Sequence, residues 1–137
     1  MNRSFFLTII ACCIVRFTFA DNPSAIWTPD NGDGSFNNPI IFADYSDPDV
    51  CRAGKDYYMT ASSFNCTPGL PILHSNDLVN WSIVGHAISD LEPSDFYYIP
   101  KLGLGVYAPS IRYHKKYFYS YWGDPDFGIY MVRTKDP

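Results

Sequence analysis

The sequence predicts an all-β fold built from repeated four-strand units, a β-propeller. Three observations predict it. Two segments about 60 residues apart resemble one another: Asp47-Pro48-Asp49-Val50 is answered by Ala108-Pro109-Ser110-Ile111. Lys55-Asp56-Tyr57-Tyr58-Met59 is answered by Lys116-Tyr117-Phe118-Tyr119-Ser120, and Ser75-Asn76-Asp77 by Thr134-Lys135-Asp136. Self-similarity at such a period marks units that bury their apolar faces only against neighbours. The chain is also rich in aromatics, 18% of its 137 residues, and strands favour these side chains. Finally, apolar residues never recur at 3.6 spacing with caps, so no helix of useful length is expected. The unit is all β and too long for ankyrin or leucine-rich repeats, which leaves a propeller blade.

Residues 1–20 read as a signal peptide. Arg3 gives a positive start, Phe5 to Val15 is an apolar run, and Thr18-Phe19-Ala20 offers a cleavage site before Asp21. The run is too short to span a bilayer. The protein is therefore expected to be exported, secreted or periplasmic, with no stable membrane span. Ile9-Ile10-Ala11-Cys12 also resembles a lipoprotein box, an alternative that would place a lipid on Cys12. Removing residues 1–20 takes away Arg3 and Arg16 and no acid, so 8 basic residues face 14 acidic ones, a balance of −6. Such a surface does not attract polyanions, so nucleic acid is not an expected partner. Of the two remaining cysteines, Cys51 and Cys66, each reads either as half of a disulfide or as a small apolar residue.

Residues 21–37 are rich in Asn, Asp, Gly and Pro and read as a leader loop. The ordered domain is placed at 38–137. Its first blade is expected from strands Asp49–Arg52, Asp56–Ser63, Leu70–Ser75 and Trp81–Ala87, with turns at Ala53-Gly54-Lys55, Pro68-Gly69 and Asn76-Asp77-Leu78. Residues 88–106 form a longer connection. The second unit is expected as Ser110–Tyr113, Tyr117–Trp122 and Gly128–Arg133, with a fourth strand lacking. One blade and most of another leave apolar faces and a sheet edge uncovered. The chain is thus expected to be the N-terminal part of a longer protein.

Asp47-Pro48 is the segment with most chemical content. Proline forces the preceding residue toward extended backbone, which would hold the Asp47 carboxylate at a strand entrance. Such a carboxylate suits a general base, although Asp before Pro also opens ordinary turns. His74, His86 and His114 share no metal-ligand spacing; no metal or other cofactor is expected. Trp81 and the Asp77-Leu78-Val79-Asn80 turn read as packing elements. Asn65-Cys66-Thr67 and Asn80-Trp81-Ser82 fit the N-glycosylation pattern.

Read in order, the chain carries Asn38-Pro39-Ile40, Asp47-Pro48, Cys51-Arg52-Ala53-Gly54-Lys55-Asp56-Tyr57-Tyr58 and Ser62-Ser63-Phe64. It continues with Pro68-Gly69-Leu70-Pro71-Ile72-Leu73-His74-Ser75-Asn76-Asp77-Leu78-Val79-Asn80-Trp81, Gly105-Val106-Tyr107-Ala108-Pro109-Ser110-Ile111 and Lys116-Tyr117-Phe118-Tyr119. This ordered set resembles family 43 of the glycoside hydrolases, nearest to its β-xylosidase and α-L-arabinofuranosidase members. The resemblance implies a five-bladed β-propeller and inverting hydrolysis of xylan- or arabinan-type substrates by two essential carboxylates and an assisting third. Asp47 matches the general base. Phe64 matches an aromatic lining the sugar pocket, its alternative being packing between blades. Tyr107-Ala108-Pro109 stands where the family usually has Trp-Ala-Pro, with Ala108 close to the sugar through its backbone. The assisting Asp and the acid Glu would fall after Pro137, so the chain alone is expected to be inactive. Asp124 and Asp126 are candidate replacements but read better as a solvated turn. The alternatives are a sugar-binding propeller without catalysis and a purely structural one.

Overall fold

The computed structural model describes residues 27–137. The signal peptide, the lipoprotein alternative at Cys12 and the first part of the leader lie outside the described residues. In the rest of the leader, Asp30 and Phe36 pair as an isolated antiparallel bridge, and the Asp30 carboxylate accepts the Gly32 N–H at 2.8 Å.

Two antiparallel sheets follow. The first has order β1-β2-β3-β4, from β1 (Asp49–Ala53), β2 (Asp56–Thr60), β3 (Gly69–Ser75) and β4 (Ser82–Ile88). A connection containing one helical turn, α1 (Ser94–Tyr97), leads to the second. That sheet has order β5-β6-β7, from β5 (Tyr107–His114), β6 (Tyr117–Asp124) and β7 (Gly128–Thr134). All seven expected strands are present. The second ends at Thr60 rather than at Ser63: residues 61–63 leave the ladder, and the Ser62 hydroxyl takes the Ala108 N–H of the other sheet. The fifth starts three residues early, at Tyr107.

The core lies between the sheets. Alternate residues of β6, Phe118, Ser120, Trp122 and Asp124, are buried, as the two-residue period of a strand requires. Phe118 packs with Ile72 and Ile111, and Trp122 with Leu70, Leu91 and Val106. Leu70 and Ile72 are likewise two apart, on one face of β3. Burying each such side chain stabilises by about 1.5–3 kcal/mol. The opposite face of the second sheet carries Tyr121, Ile129 and Met131, all exposed.

β1 and β5 are the strands on which the two sheets meet. The meeting is clamped by Asp49. Its Oδ2 accepts the Ile111 N–H at 2.7 Å and also bonds Nη1 of Arg112. At one end of this seam gather the starts of β1, β3 and β5 and the ends of β2 and β6. That end positions the site.

Candidate active site at the seam between the sheets

Three of the four candidate residues share a backbone feature. Asp47 has φ +49°, Phe64 +48° and Ala108 +39°. None is glycine, and for Phe and Ala this left-handed region is uncommon. The expectation of extended backbone at Asp47 is therefore corrected. Proline's local steric preference is overridden by the contacts that hold the turn: the Ser62 N–H donates to the Ser46 carbonyl at 2.9 Å, and the Asp47 side chain is bonded as well. Ala108, also before a proline, repeats the feature. The repeat seen in sequence thus extends to backbone conformation. Residues held in such regions persist only where their surroundings fix them, and they cluster at functional sites.

The side chains converge. Ser62 Oγ donates to Asp47 Oδ2 at 2.9 Å, and Ser46 Oγ lies 3.2 Å from the same oxygen. The Ala108 N–H donates to Ser62 Oγ at 2.8 Å. A continuous path therefore runs from the Ala108 backbone through Ser62 to the Asp47 carboxylate. Ser62 is buried at 8% exposure, while Asp47 is exposed. Ala108 can enter this path because β5 is irregular there. The β5–β6 register shifts between Tyr107 and Ser110, and Pro109 has no N–H to give to a ladder.

Phe64 and Tyr107 meet edge to face, with ring centroids 5.2 Å apart and planes at 88°. Their backbones are joined too: Phe64 and Val106 exchange two N–H···O bonds, each 3.0 Å. The Tyr107 hydroxyl bonds the Gly103 carbonyl. The structure so brings Asp47, Phe64, Tyr107 and Ala108 together at one end of the seam. Ser62 and Asp49 were missed as contributors. The sequence held only a faint signal for Ser62, its place in Ser62-Ser63-Phe64, and none for a bond from Asp49 to a residue 62 positions away.

Asp124 is not a solvated turn residue. It is 5% exposed, its Oδ1 accepts the Asp126 and Phe127 N–H groups, and its Oδ2 accepts the Tyr97 hydroxyl at 2.5 Å. Burial first, and then that bond, push the Tyr97 phenol well above its usual range. Both Asp124 oxygens are thus engaged in structural bonds. Asp126 is exposed, as expected. Among the described residues Cys51 and Cys66 are both free and do not pair with one another. Cys51 packs against the Ile72, Ile111 and Phe118 cluster, and burial, with Asp49 second, pushes its thiol up to about 11. Trp81 donates its indole N–H to the Leu78 carbonyl at 3.0 Å, which closes the turn. Among the described residues no helix is long and apolar enough to cross a membrane.

Positive-φ backbone, a hydrogen-bonded carboxylate and an aromatic pair meet at this end of the seam. The family model for glycosyl hydrolases family 43 matches residues 36–137, and the chain belongs to that family. It is 41% identical over 107 residues to a non-reducing end alpha-L-arabinofuranosidase of Bacteroides ovatus, covering 75% of this chain and 20% of that protein. It is 38% identical over 110 residues to a beta-xylosidase of Formosa agariphila, covering 78% and 19%. The solved structure of Bacteroides ovatus xyloglucan PUL GH43B superposes with TM-score 0.63 at 40% identity, over 74% of this chain and 21% of that one. The chain spans about a fifth of the length of these relatives.

Proposed function

We propose that this chain forms the first blade and most of the second of a five-bladed propeller that hydrolyses O-glycosyl bonds in xylan- or arabinan-type substrates, as a β-xylosidase or α-L-arabinofuranosidase acting with inversion. Asp47 is the general base. Phe64 and Tyr107 offer apolar faces to the sugar ring, and Ala108 approaches it through its backbone. The assisting carboxylate and the general acid belong to later blades, and a third blade covers Tyr121, Ile129 and Met131. Residues 1–20 support export of the protein.

One observation carries the reading. The matched base is the residue to which the seam's hydrogen bonds lead, from the Ala108 N–H through Ser62 Oγ to Asp47 Oδ2. A sugar-binding module needs no carboxylate held in this way. The test is made in the full-length protein on nitrophenyl β-xyloside and α-L-arabinofuranoside. Asp47→Asn should lower kcat about 10²–10⁴-fold, the usual worth of general base assistance, with KM little changed. Wild-type turnover in Asp47→Asn removes the catalytic role; binding of the sugars without turnover in the unaltered protein favours a binding module.

A further inference from the structure

We infer that Ser62 is a positioning residue that commits one oxygen of Asp47 to the protein and leaves Oδ1 to take the proton from water; this rests on Asp47 being the base. The direction of the hydrogen bonds is forced. A backbone N–H can only donate, so the 2.8 Å contact from Ala108 makes Ser62 Oγ the acceptor. The single hydroxyl hydrogen of Ser62 is then free for Asp47 Oδ2, 2.9 Å away. Ser46 Oγ, at 3.2 Å, reaches the same oxygen. Among the described residues every hydrogen bond to the Asp47 carboxylate falls on Oδ2.

The arrangement sets the orientation of the base in two ways. The carboxylate plane is pinned at Oδ2, so Oδ1 points in one direction instead of rotating between two. The pin is also tied to Ala108, so the base and the sugar-facing backbone move together. In the reaction a water oxygen forms the new bond to the anomeric carbon as its proton passes to Oδ1. The glycosidic C–O bond breaks, and the leaving oxygen takes its proton from the acid. A base displaced by a fraction of an ångström loses much of this rate.

The experiment uses the full-length protein and compares Ser62→Ala, Ser62→Thr and Asp47→Asn on nitrophenyl glycosides. A charge-assisted bond at the reacting group predicts that Ser62→Ala lowers kcat by about ten- to a hundredfold, with KM within about twofold of wild type. Ser62→Thr keeps the hydroxyl and should restore most of that loss, which a merely space-filling role would not require. Asp47→Asn inactive but Ser62→Ala at wild-type kcat overturns the positioning role alone, as does a Ser62→Thr no faster than Ser62→Ala. Full activity of Asp47→Asn overturns the base assignment itself.

Discussion

Gly105 lies so close to the backbone of Phe64 that a Cβ at residue 105 would collide with the Phe64 carbonyl oxygen. Its φ of +98° is also one that L side chains rarely adopt. This contact lets Phe64 and Val106 exchange their two hydrogen bonds and so seats Phe64 beside Tyr107. Gly105→Ala is therefore expected to cost about 1–3 kcal/mol. It should also raise KM more than it lowers kcat, because the aromatic pair shifts while Asp47 does not. Denaturant melts and steady-state kinetics of the full-length protein check both parts.

The Asp49 clamp predicts an asymmetric pair of substitutions. Asp49→Ala leaves the N–H of fully buried Ile111 without its acceptor, at a cost of about 1–3 kcal/mol. Arg112→Ala removes a side chain that is 60% exposed, and a surface ion pair is worth no more than about 1 kcal/mol. Equal losses in urea melts would show that the ion pair, not the backbone bond, holds the seam.

Asp77 ties the turn before Trp81. The Asn80 side-chain amide, then the Asn80 and Val79 N–H groups and the Ser75 hydroxyl, hold its carboxyl far below the ordinary range. A carboxyl depressed on folding stabilises fully above its unfolded pKa, about 3.9, and loses that contribution as pH falls toward the folded value. The stability gap between wild type and Asp77→Ala should therefore be constant from pH 7 to about pH 5 and shrink below pH 4. Urea midpoints measured across that range decide it; a gap that widens in acid contradicts the assignment.

Among the described residues Thr60 Oγ1 is buried and has no hydrogen-bond partner. Removing an unsatisfied hydroxyl while keeping side-chain shape is favourable, so Thr60→Val should raise stability by about 1 kcal/mol. A loss of stability in the melt would mean that the hydroxyl has a partner in the full-length protein.

The strands were legible because their signal is local. Short runs dense in aromatic residues are bounded by turn residues such as Ala53-Gly54-Lys55 and Pro68-Gly69, and Asp77-Leu78-Val79-Asn80 carries turn chemistry within four positions. The candidate residues were legible through matched motifs, and Asp47, Phe64, Tyr107 and Ala108 do converge. What could not be read depends on distance or on tertiary override. Asp49 meets Ile111 only because two sheets pack on β1 and β5. Asp47 and Ala108 adopt positive φ against the preference that proline imposes, because Ser62 and its neighbours hold them there. Ser62 itself looked like the tail of a strand. Asp124 looked solvated because turn composition does not reveal that Tyr97, 27 residues earlier, closes over it.

The most direct test of the central claim is a crystal structure of the full-length Asp47→Asn protein with an unhydrolysed xylo- or arabino-oligosaccharide. The account predicts the terminal sugar against Phe64 and Tyr107, and a water held by residue 47 facing the anomeric carbon on the side opposite the leaving oxygen. A sugar bound elsewhere, with residue 47 facing open solvent, would contradict it.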